Sequence, residues 1–317
     1  MSTIYNTHIN NLPTINTESF LMFKIKKYAA IDIGSNAMRL LIANIVEQDG
    51  KDTQFNKNSL VRVPIRLGQD SFTVGEISQD NIERMIDAMK AFQLLMKVHK
   101  VEKYLAFATS AMREAKNSNE VIALVRKESG VRIEIIDGEK EAAIIASTDL
   151  HHLLKTDKTY LYVDVGGGST EFSLFSNGKI VVSKSFKAGT VRLLNEMVLE
   201  VVWEEMEQWI TENTQGYEEV ILIGSGGNIN KIFKMSGKMQ DKPLSYIYLN
   251  SQYAYLNSLT YEQRIAELGL NLDRADVIIP ATKIYLNAMK WSGARTMYVP
   301  KIGLSDGIVK AMYYGNI

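Results

Sequence analysis

The sequence predicts an α/β protein made of two copies of one unit, their loops facing each other across a cleft. Three observations predict it. The first is the run Tyr160–Phe172. An apolar, β-prone stretch ends in Asp164; Gly166-Gly167-Gly168-Ser169 follows, then Glu171 and another β-prone stretch. The second is an upstream counterpart. A strand ends in Asp32, followed by Gly34-Ser35-Asn36, Arg39 and a further strand, and the two aspartates are 132 residues apart. Each unit then reaches a tight-turn signal, Asp49-Gly50 or Asn177-Gly178, of the kind that joins hairpin strands. The third is the strand-helix alternation of the rest, which places a sheet between helices. A unit that occurs twice argues for duplication, and a cleft between duplicated halves is a usual ligand site.

Residues 24–70 read as strands with turns. Gln79–Val98 reads as an amphipathic helix, because Ile82, Met85, Ile86, Met89, Phe92 and Leu95 share one face. Ser78 or Asp80 is its expected cap. Lys103–Ala108 is a buried-type strand, and Thr109-Ser110 opens a turn or helix. Asn119–Ser129 is a helix stopped by Gly130; Val131–Ile136 is a strand; a helix runs from Glu139 to about Leu154. In the second half, 160–186 are strands and turns, Thr190–Ile210 a helix and Glu218–Ile223 a strand. That strand enters a third Gly-rich turn, Gly224-Ser225-Gly226-Gly227. Tyr253–Leu268 and Asp276–Trp291 read as helices, Thr296–Val299 as a strand and Leu304–Tyr314 as a helix. The expected domains are 24–143 and 144–317, hinged between Asp137 and Lys158. The last helix is expected to pack back on the first domain. Residues 1–23 are expected to be a disordered tail, or to precede a start at Met22.

Composition narrows the function. The 317 residues include 36 Lys+Arg against 36 Asp+Glu, which argues against a nucleic-acid polymer as partner. There is no cysteine, so disulfides, zinc-thiolate sites and a cysteine nucleophile are excluded. Neither a bilayer-spanning run nor a signal core is visible, and the expectation is a soluble cytoplasmic protein.

Phosphate with a metal is the first reading of the Gly-rich turns. Glycines weaken a strand but let bare N–H groups curl around an anion. Gly34, Ser35 and Asn36, then Gly166, Gly167, Gly168 and Ser169, then Gly226 follow strands, where anions collect. Asp32 and Asp164 at the strand ends, with Glu171 beyond the glycines, suit a hydrated Mg²⁺. Glu141 opens a helix near the hinge; by spacing alone it reads as a solvated first-turn residue favoured by the helix dipole. Arg39, Arg113, Lys187, Arg192 and Arg274 stand beside the turns, and arginine forks suit phosphate oxygens. His151-His152 reads as exposed. Trp203, Trp209 and the Tyr-rich 246–255 stretch read as core and interface rather than base-stacking surfaces.

Five motifs together resemble a known family. They are Asp32-Ile33-Gly34-Ser35-Asn36, Ala108–Ala115 around Arg113, Ile136–Ala142 around Glu141, Asp164–Glu171 and Gly224–Gly227. Arg274–Pro280 and Gly303–Gly307 continue the match. From about Lys24 to the C-terminus the set resembles the exopolyphosphatase/guanosine pentaphosphate phosphatase (Ppx/GppA) family. The resemblance implies two RNase H-like domains of the actin, sugar-kinase and heat-shock-ATPase type around a cleft. It implies Mg²⁺-dependent release of the terminal phosphate of polyphosphate, or of the 5′ γ-phosphate of guanosine pentaphosphate.

By position, Glu141 matches the water-activating carboxylate, in place of the solvated reading, and Arg113 belongs with it. Asp164 and Glu171, with Asp32 opposite, match metal- and phosphate-site acids. Arg39, Arg113 and Arg274 match phosphate-facing arginines, and Gly166–Ser169 the phosphate loop.

Departures are Lys140 for a usual Glu, Ser305 for a usual Arg, Asn228 for Thr and Ala281 for Gly. Lys140 is expected to lower the pKa of Glu141, and Ser305 to weaken affinity for long phosphate chains. The chain ends after the second domain, which implies short-chain or nucleotide substrates, or a homodimer that completes the channel. Alternatives left open are a guanosine pentaphosphate phosphohydrolase, a non-hydrolytic sensor of guanosine penta- or tetraphosphate, and a kinase of the same superfold.

Overall fold

The computed structural model describes residues 23–146, 148 and 157–317. The expected tail up to Met22, the His151-His152 pair and the far end of the helix expected to reach Leu154 lie outside the described residues.

Two mixed sheets form the protein. The first has the order β3-β2-β1-β4-β5, from β1 (Phe23–Ile33), β2 (Met38–Gln48), β3 (Gln54–Val63), β4 (Lys103–Ala108) and β5 (Glu134–Ile135). The second contains β6 (Thr159–Val165), β7 (Thr170–Ser176), β8 (Lys179–Phe186), β9 (Val220–Ser225), β10 (Leu244–Ser245) and β11 (Thr296–Tyr298). Its order, β8-β7-β6-β9-β11-β10, repeats the first with one short strand added. Pairing directions also repeat: two antiparallel ladders, then two parallel ones. This is the duplicated α/β architecture that the paired Asp-x-Gly units predict.

Period-2 alternation divides each central strand between two cores. Ala29, Ile31 and Ile33 face the core that holds Met85, Met89 and Phe92 of the helix α2 (Gln79–Val98). Tyr28 and Ala30 face the other way. In the second half, Leu161, Val163 and Val165 join a core with Trp203 and Met206, while Tyr160 and Tyr162 face outward from it. The outward residues of both sheets meet in one shared core. Two helices supply its filling: α5 (Gly138–Ala146) through Ile144 and Ile145, and α13 (Leu304–Tyr314) through Leu304, Ile308 and Val309. Thus α13 packs on β1, β2 and β4 of the first sheet and on α5, and α5 packs on β7 and β8 of the second.

Local differences from the sequence reading have local causes. The helix expected over Thr190–Ile210 is two helices, α6 (Thr190–Leu194) and α7 (Glu200–Thr214). They are separated where Glu196 takes φ 56, a left-handed conformation that no helix continues through. The helix expected over Tyr253–Leu268 is also two, α9 (Tyr246–Ser258) and α10 (Tyr261–Ala266), because Thr260 and Gln263 form a capping box that starts a new helix. The stretch to residue 70, expected to be strands and turns, contains the start of α1 (Leu67–Thr73). Only Glu134–Ile135 of the expected 131–136 strand pairs.

The α5–α13 contact tolerates no side chain at Gly307. A Cβ there would lie 2.3 Å from the Ile144 carbonyl oxygen. Gly307→Ala is therefore expected to destabilise by about 1–3 kcal/mol, the usual cost of overpacking, despite the better helix propensity of Ala. Gly216→Ala, where a Cβ meets nothing within 4 Å, is the control. Urea denaturation of both variants checks this, and equal midpoints would refute the close packing.

Candidate active site

The two Asp-x-Gly turns have the same construction. Gly34 N–H donates to the Ala37 carbonyl at 3.2 Å, and Gly166 N–H to the Ser169 carbonyl at 3.0 Å. Among the described residues no acceptor pairs with the backbone N–H groups of Ser35, Asn36 or Gly167. The turns abut: a Cβ on Gly167 would lie 2.9 Å from Ser35 Cβ and 3.2 Å from Asn36 N. Only a glycine permits this approach. The third turn needs glycine for another reason, since Gly226 has φ 120. All three turns line one cavity of about 960 Å³ between the sheets.

Register then sets the charges. Across β1-β2-β3 run Asp32, Arg39 and Arg62, directly opposite one another. Across β6-β7-β8 run Asp164, Glu171 and Ser185. In the first row Arg39 donates to Asp32 at 2.7 Å, so the carboxylate is neutralised. In the second, two carboxylates face each other, which is unfavourable on a sheet. Ser169 and Ser185 hydroxyls donate to Glu171 at 2.6 and 2.9 Å. Burial nevertheless raises the Glu171 pKa, against the pull of those hydroxyls and of Arg113. Asp164 is raised to about 7 by burial first, then by Glu171, while Arg39 opposes the shift.

Glu141 completes this floor. It sits in the first turn of α5, where Asp137 caps the helix by accepting the Lys140 N–H at 2.7 Å. The solvated reading that spacing alone suggested is overturned. Glu141 is only 9% exposed, lines the cavity, and its Oε2 has no hydrogen-bond partner among the described residues. Burial raises its pKa well above the usual range, followed by the charges of Glu171, Asp32 and Asp164. The shift is upward, not the lowering expected from Lys140. Its ammonium pairs with Glu134 at 2.5 Å and lies over the Phe107 ring, turned from the cavity.

The remaining expected residues divide. Gly34, Ser35, Asn36, Arg39, Gly166, Gly167, Ser169, Gly226 and Arg274 line the cavity with Asp32, Asp164 and Glu171. Gly168 and Arg113 do not. Gly168 is packed against Ser110 and Phe72, and Arg113 donates to the Ile136 carbonyl at 2.5 Å, from where its charge stabilises Glu141 and Glu171. Arg192 and Lys187 both pair with Glu114, at 2.5 and 3.6 Å, so they join the halves rather than serve a ligand. Arg274 feels burial first, then the repulsion of Arg62 and Arg39, which lowers its pKa. Three crowded guanidiniums of this kind are a ready anion receptor. Arg62 escaped the sequence reading, as did Ser110, whose hydroxyl lies 2.8 Å from that of Ser35.

The halves are also tied by polar contacts beside the cavity. Arg62 pairs with Asp273, Arg66 with Asp276 at 2.7 Å, and Asn36 donates to the Asp273 carbonyl at 3.0 Å.

The model of the Ppx/GppA phosphatase family matches residues 45–314. The chain belongs to that family. It is accordingly a phosphatase-family hydrolase. Among curated relatives of this Ppx/GppA member, the bifunctional 3-dehydroquinate synthase/phosphatase of Fusobacterium nucleatum is 29% identical, covering 90% of this chain. The chain spans only 46% of that protein. Exopolyphosphatase 1 of Mycobacterium tuberculosis is 22% identical, covering 89% of this chain and 87% of that one. The crystal structure of an exopolyphosphatase from Cytophaga hutchinsonii matches with a TM-score of 0.80 and 25% identity, covering 92% of this chain and 98% of that one. The Aquifex aeolicus family member matches with a TM-score of 0.72 and 26% identity, covering 92% and 99%. No helix among the described residues is long and apolar enough to cross a membrane.

Asp164 gives this site a pH signature. Between its ordinary value of 3.8 and about 7, the unfolded chain ionises Asp164 while the folded protein keeps it protonated. Stability therefore falls as pH rises through that window, and the cost is complete above pH 7. Asp164→Asn is expected to be more stable than wild type at pH 8, by up to about 4 kcal/mol at roughly 1.36 kcal/mol per pH unit. The gain should vanish towards pH 4. Urea titrations at the two pH values check this; a variant no more stable at pH 8 would show that the carboxylate is not strained.

Proposed function

We propose that this protein hydrolyses the terminal phosphoanhydride bond of inorganic polyphosphate, with Glu141 activating the water. The observation that carries the proposal is the unpartnered, buried Oε2 of Glu141 in a cavity lined by three Gly-rich turns. Burial and neighbouring acids make Glu141 a stronger base than a solvated glutamate.

In this reading the terminal phosphoryl group lies on the N–H groups of the two abutting turns. Glu141 accepts a proton as water attacks phosphorus, and the bond to the bridging oxygen breaks. Products are orthophosphate and a chain one unit shorter. Charge on the equatorial oxygens meets turn N–H groups that are already aimed, which is where catalysis of phosphoryl transfer gains most. Arg39 and Arg274 hold the neighbouring phosphates. Arg113, bonded to the Ile136 carbonyl just before α5, acts on the base from below.

The residues present fit Mg²⁺. Among the described residues Asp32, Glu141, Asp164 and Glu171 offer carboxylate oxygens to the cavity, and the repulsion of Glu171 on Asp164 and on Glu141 is what a divalent cation relieves. Among the described residues no three carboxylates, histidines or cysteines converge as a complete metal cage. Mg²⁺ needs none, since it keeps waters and shares substrate phosphates. Asp164 and Glu171 would hold it, with Asp32 across the cavity already paired to Arg39. Bound there, it would neutralise phosphate charge and orient the chain.

Glu141→Gln is expected to lower kcat by about 10²–10⁴, the usual worth of a general base, with its melting temperature no lower than that of wild type. Chelation should abolish wild-type turnover and added Mg²⁺ should restore it. The assay is phosphate release from polyphosphate of defined length, with guanosine pentaphosphate run alongside. Equal rates for wild type and Glu141→Gln would remove the base from the mechanism, and faster turnover of the nucleotide would displace polyphosphate as substrate.

A further inference from the structure

The Gly166–Ser169 turn is held from behind. Three successive carbonyls of the turn are engaged by one short segment, the start of α6. Thr190 N–H donates to the Gly166 carbonyl at 3.0 Å, and Val191 N–H to the Gly167 carbonyl at 2.8 Å. Arg192 Nε donates to the Gly168 carbonyl at 2.7 Å. The approach leaves no room, since a Cβ on Gly189, the residue before α6, would run into the Gly167 carbonyl.

A trans peptide sets its C=O and its N–H on opposite sides, and the described residues contain no cis bond. Holding the carbonyls of Gly166, Gly167 and Gly168 towards α6 therefore turns the N–H groups of Gly167, Gly168 and Ser169 away from it. Among the described residues none of these three N–H groups has an acceptor. Backbone donors are seldom left so in a protein interior, and successive free N–H groups make an anion-binding concavity. Gly167 and Ser169 line the cavity. The direction of these donors is thus set by contacts on the far side of the turn.

The third contact differs from the other two. A side chain makes it, and that side chain bridges to the other half. The Arg192 guanidinium is buried, lies 3.8 Å over the Phe72 ring and pairs with Glu114 at 2.5 Å. Glu114 ends α3 (Ser110–Glu114). The same helix sets the Ser110 hydroxyl 2.8 Å from that of Ser35 in the first turn, and Arg113 on the Ile136 carbonyl ahead of α5. One short helix therefore reaches both turns and the approach to Glu141. A guanidinium suits this place because its rigid planar fork presents Nε–H and an outer NH2 together, whereas a lysine ammonium is a point charge with no such plane.

We propose that Arg192 is a positioning residue for the phosphate site: by holding the Gly168 carbonyl against Glu114 and Phe72 of the other half, it aims the Ser169 N–H at the phosphoryl group, and it does so only while the halves are docked. The inference rests on reading the cavity as a phosphohydrolase site. Arg192 itself never touches the ligand; its effect passes through the turn.

The test measures kcat and KM on polyphosphate of defined length, and calorimetric Kd values for orthophosphate and for orthovanadate, which can take the five-coordinate shape of a phosphoryl group in transfer. Arg192→Lys keeps a charge for Glu114 but not the planar pair of donors. It is expected to lower kcat by about tenfold, part of the roughly 10²–10³ that loss of a whole oxyanion donor costs, while KM changes little. The Kd for orthovanadate should weaken more than that for orthophosphate, because aimed donors favour the transition state over the ground state. A mere tie between the halves would lower the melting temperature and weaken both oxyanions alike. Lys187→Gln removes the exposed second partner of Glu114 without touching the turn, and should match wild type. If Arg192→Lys does not fold, Glu114→Ala frees the guanidinium from a half-buried position and should give the same split at smaller size. Unchanged kcat and unchanged oxyanion discrimination in a folded variant, an equal loss in Lys187→Gln, or wild-type protein that binds neither oxyanion would overturn the positioning role. Oxyanion discrimination that depends on Arg192, in a protein that releases no phosphate from polyphosphate, would instead sink the hydrolase reading and leave the role of Arg192 standing.

Discussion

The rest of the structure is arranged around one unfavourable interaction: carboxylates held together in a buried floor. Asp164 faces Glu171 across one sheet, and Glu141 is brought to them from a separate helix. Burial pushes each towards its neutral form; Glu171 adds to the push on Asp164 and on Glu141, while hydroxyls and Arg113 oppose it at Glu171 itself. Left to itself such a cluster would open to water. It persists because the elements that carry it are pinned from outside. The start of α5 lies on β8, where a Cβ on Gly138 would come within 2.7 Å of Ser185 Cβ. Its other side is clamped by α13 at Gly307. The shared core between the sheets therefore holds in place a repulsion that protons or a cation can relieve. Ligand binding and stability are linked through these same charges.

Duplication explains how such a floor arises without a special fold. Both halves place an acid at the end of the central strand and a second charged residue opposite it on the next strand. In the first half the second residue is Arg39, which cancels Asp32. In the second it is Glu171, which adds to Asp164. One backbone pattern thus yields a neutralised corner and an acidic corner. The two turns meet because Gly167 leaves room for Ser35 and Asn36. Symmetry in the backbone and asymmetry in charge together give the cleft a direction.

Much of this was legible in the sequence because it rests on local signals. Asp-x-Gly turns, hairpin dipeptides and apolar periodicity are short-range, and they located both sheets, α2 and α13. What was missed depends on distant geometry. Arg62 is the clearest case. Counting back from the hairpin at Asp49-Gly50 puts Val61 opposite Arg39, because a register shift between Ile42 and Ala43 is silent in the sequence. That one-residue slip turns Arg62 onto the face of Arg39, as slips do. The burial of Glu141 was equally hidden: a first-turn glutamate looks solvated until another domain covers it. Lys140 failed the other way. Adjacency in sequence suggested influence on the base, but neighbouring helix positions point apart, and Glu134 holds the lysine away.

The direction of the cleft bears on what it can accept. A polyanion carries like charges along its length, so a uniformly basic cavity would bind its interior and its terminus alike. An acidic floor changes that. The end that enters must be accompanied by a cation, while the stretch behind it meets lysines and needs none. On the proposed reading a chain would lie with a terminus against Glu141. A product shortened by one unit still has its tail on the lysines, whereas the released orthophosphate is left beside carboxylates that repel it. On that reading the arrangement would favour loss of the small product before the chain. This follows from the placement of charges rather than from the turns, which grip any phosphate alike. On the proposed reading the Gly-rich loops would grip phosphate, and the change of sign between Glu141 and Lys238 would place a terminal rather than an internal phosphate at the floor.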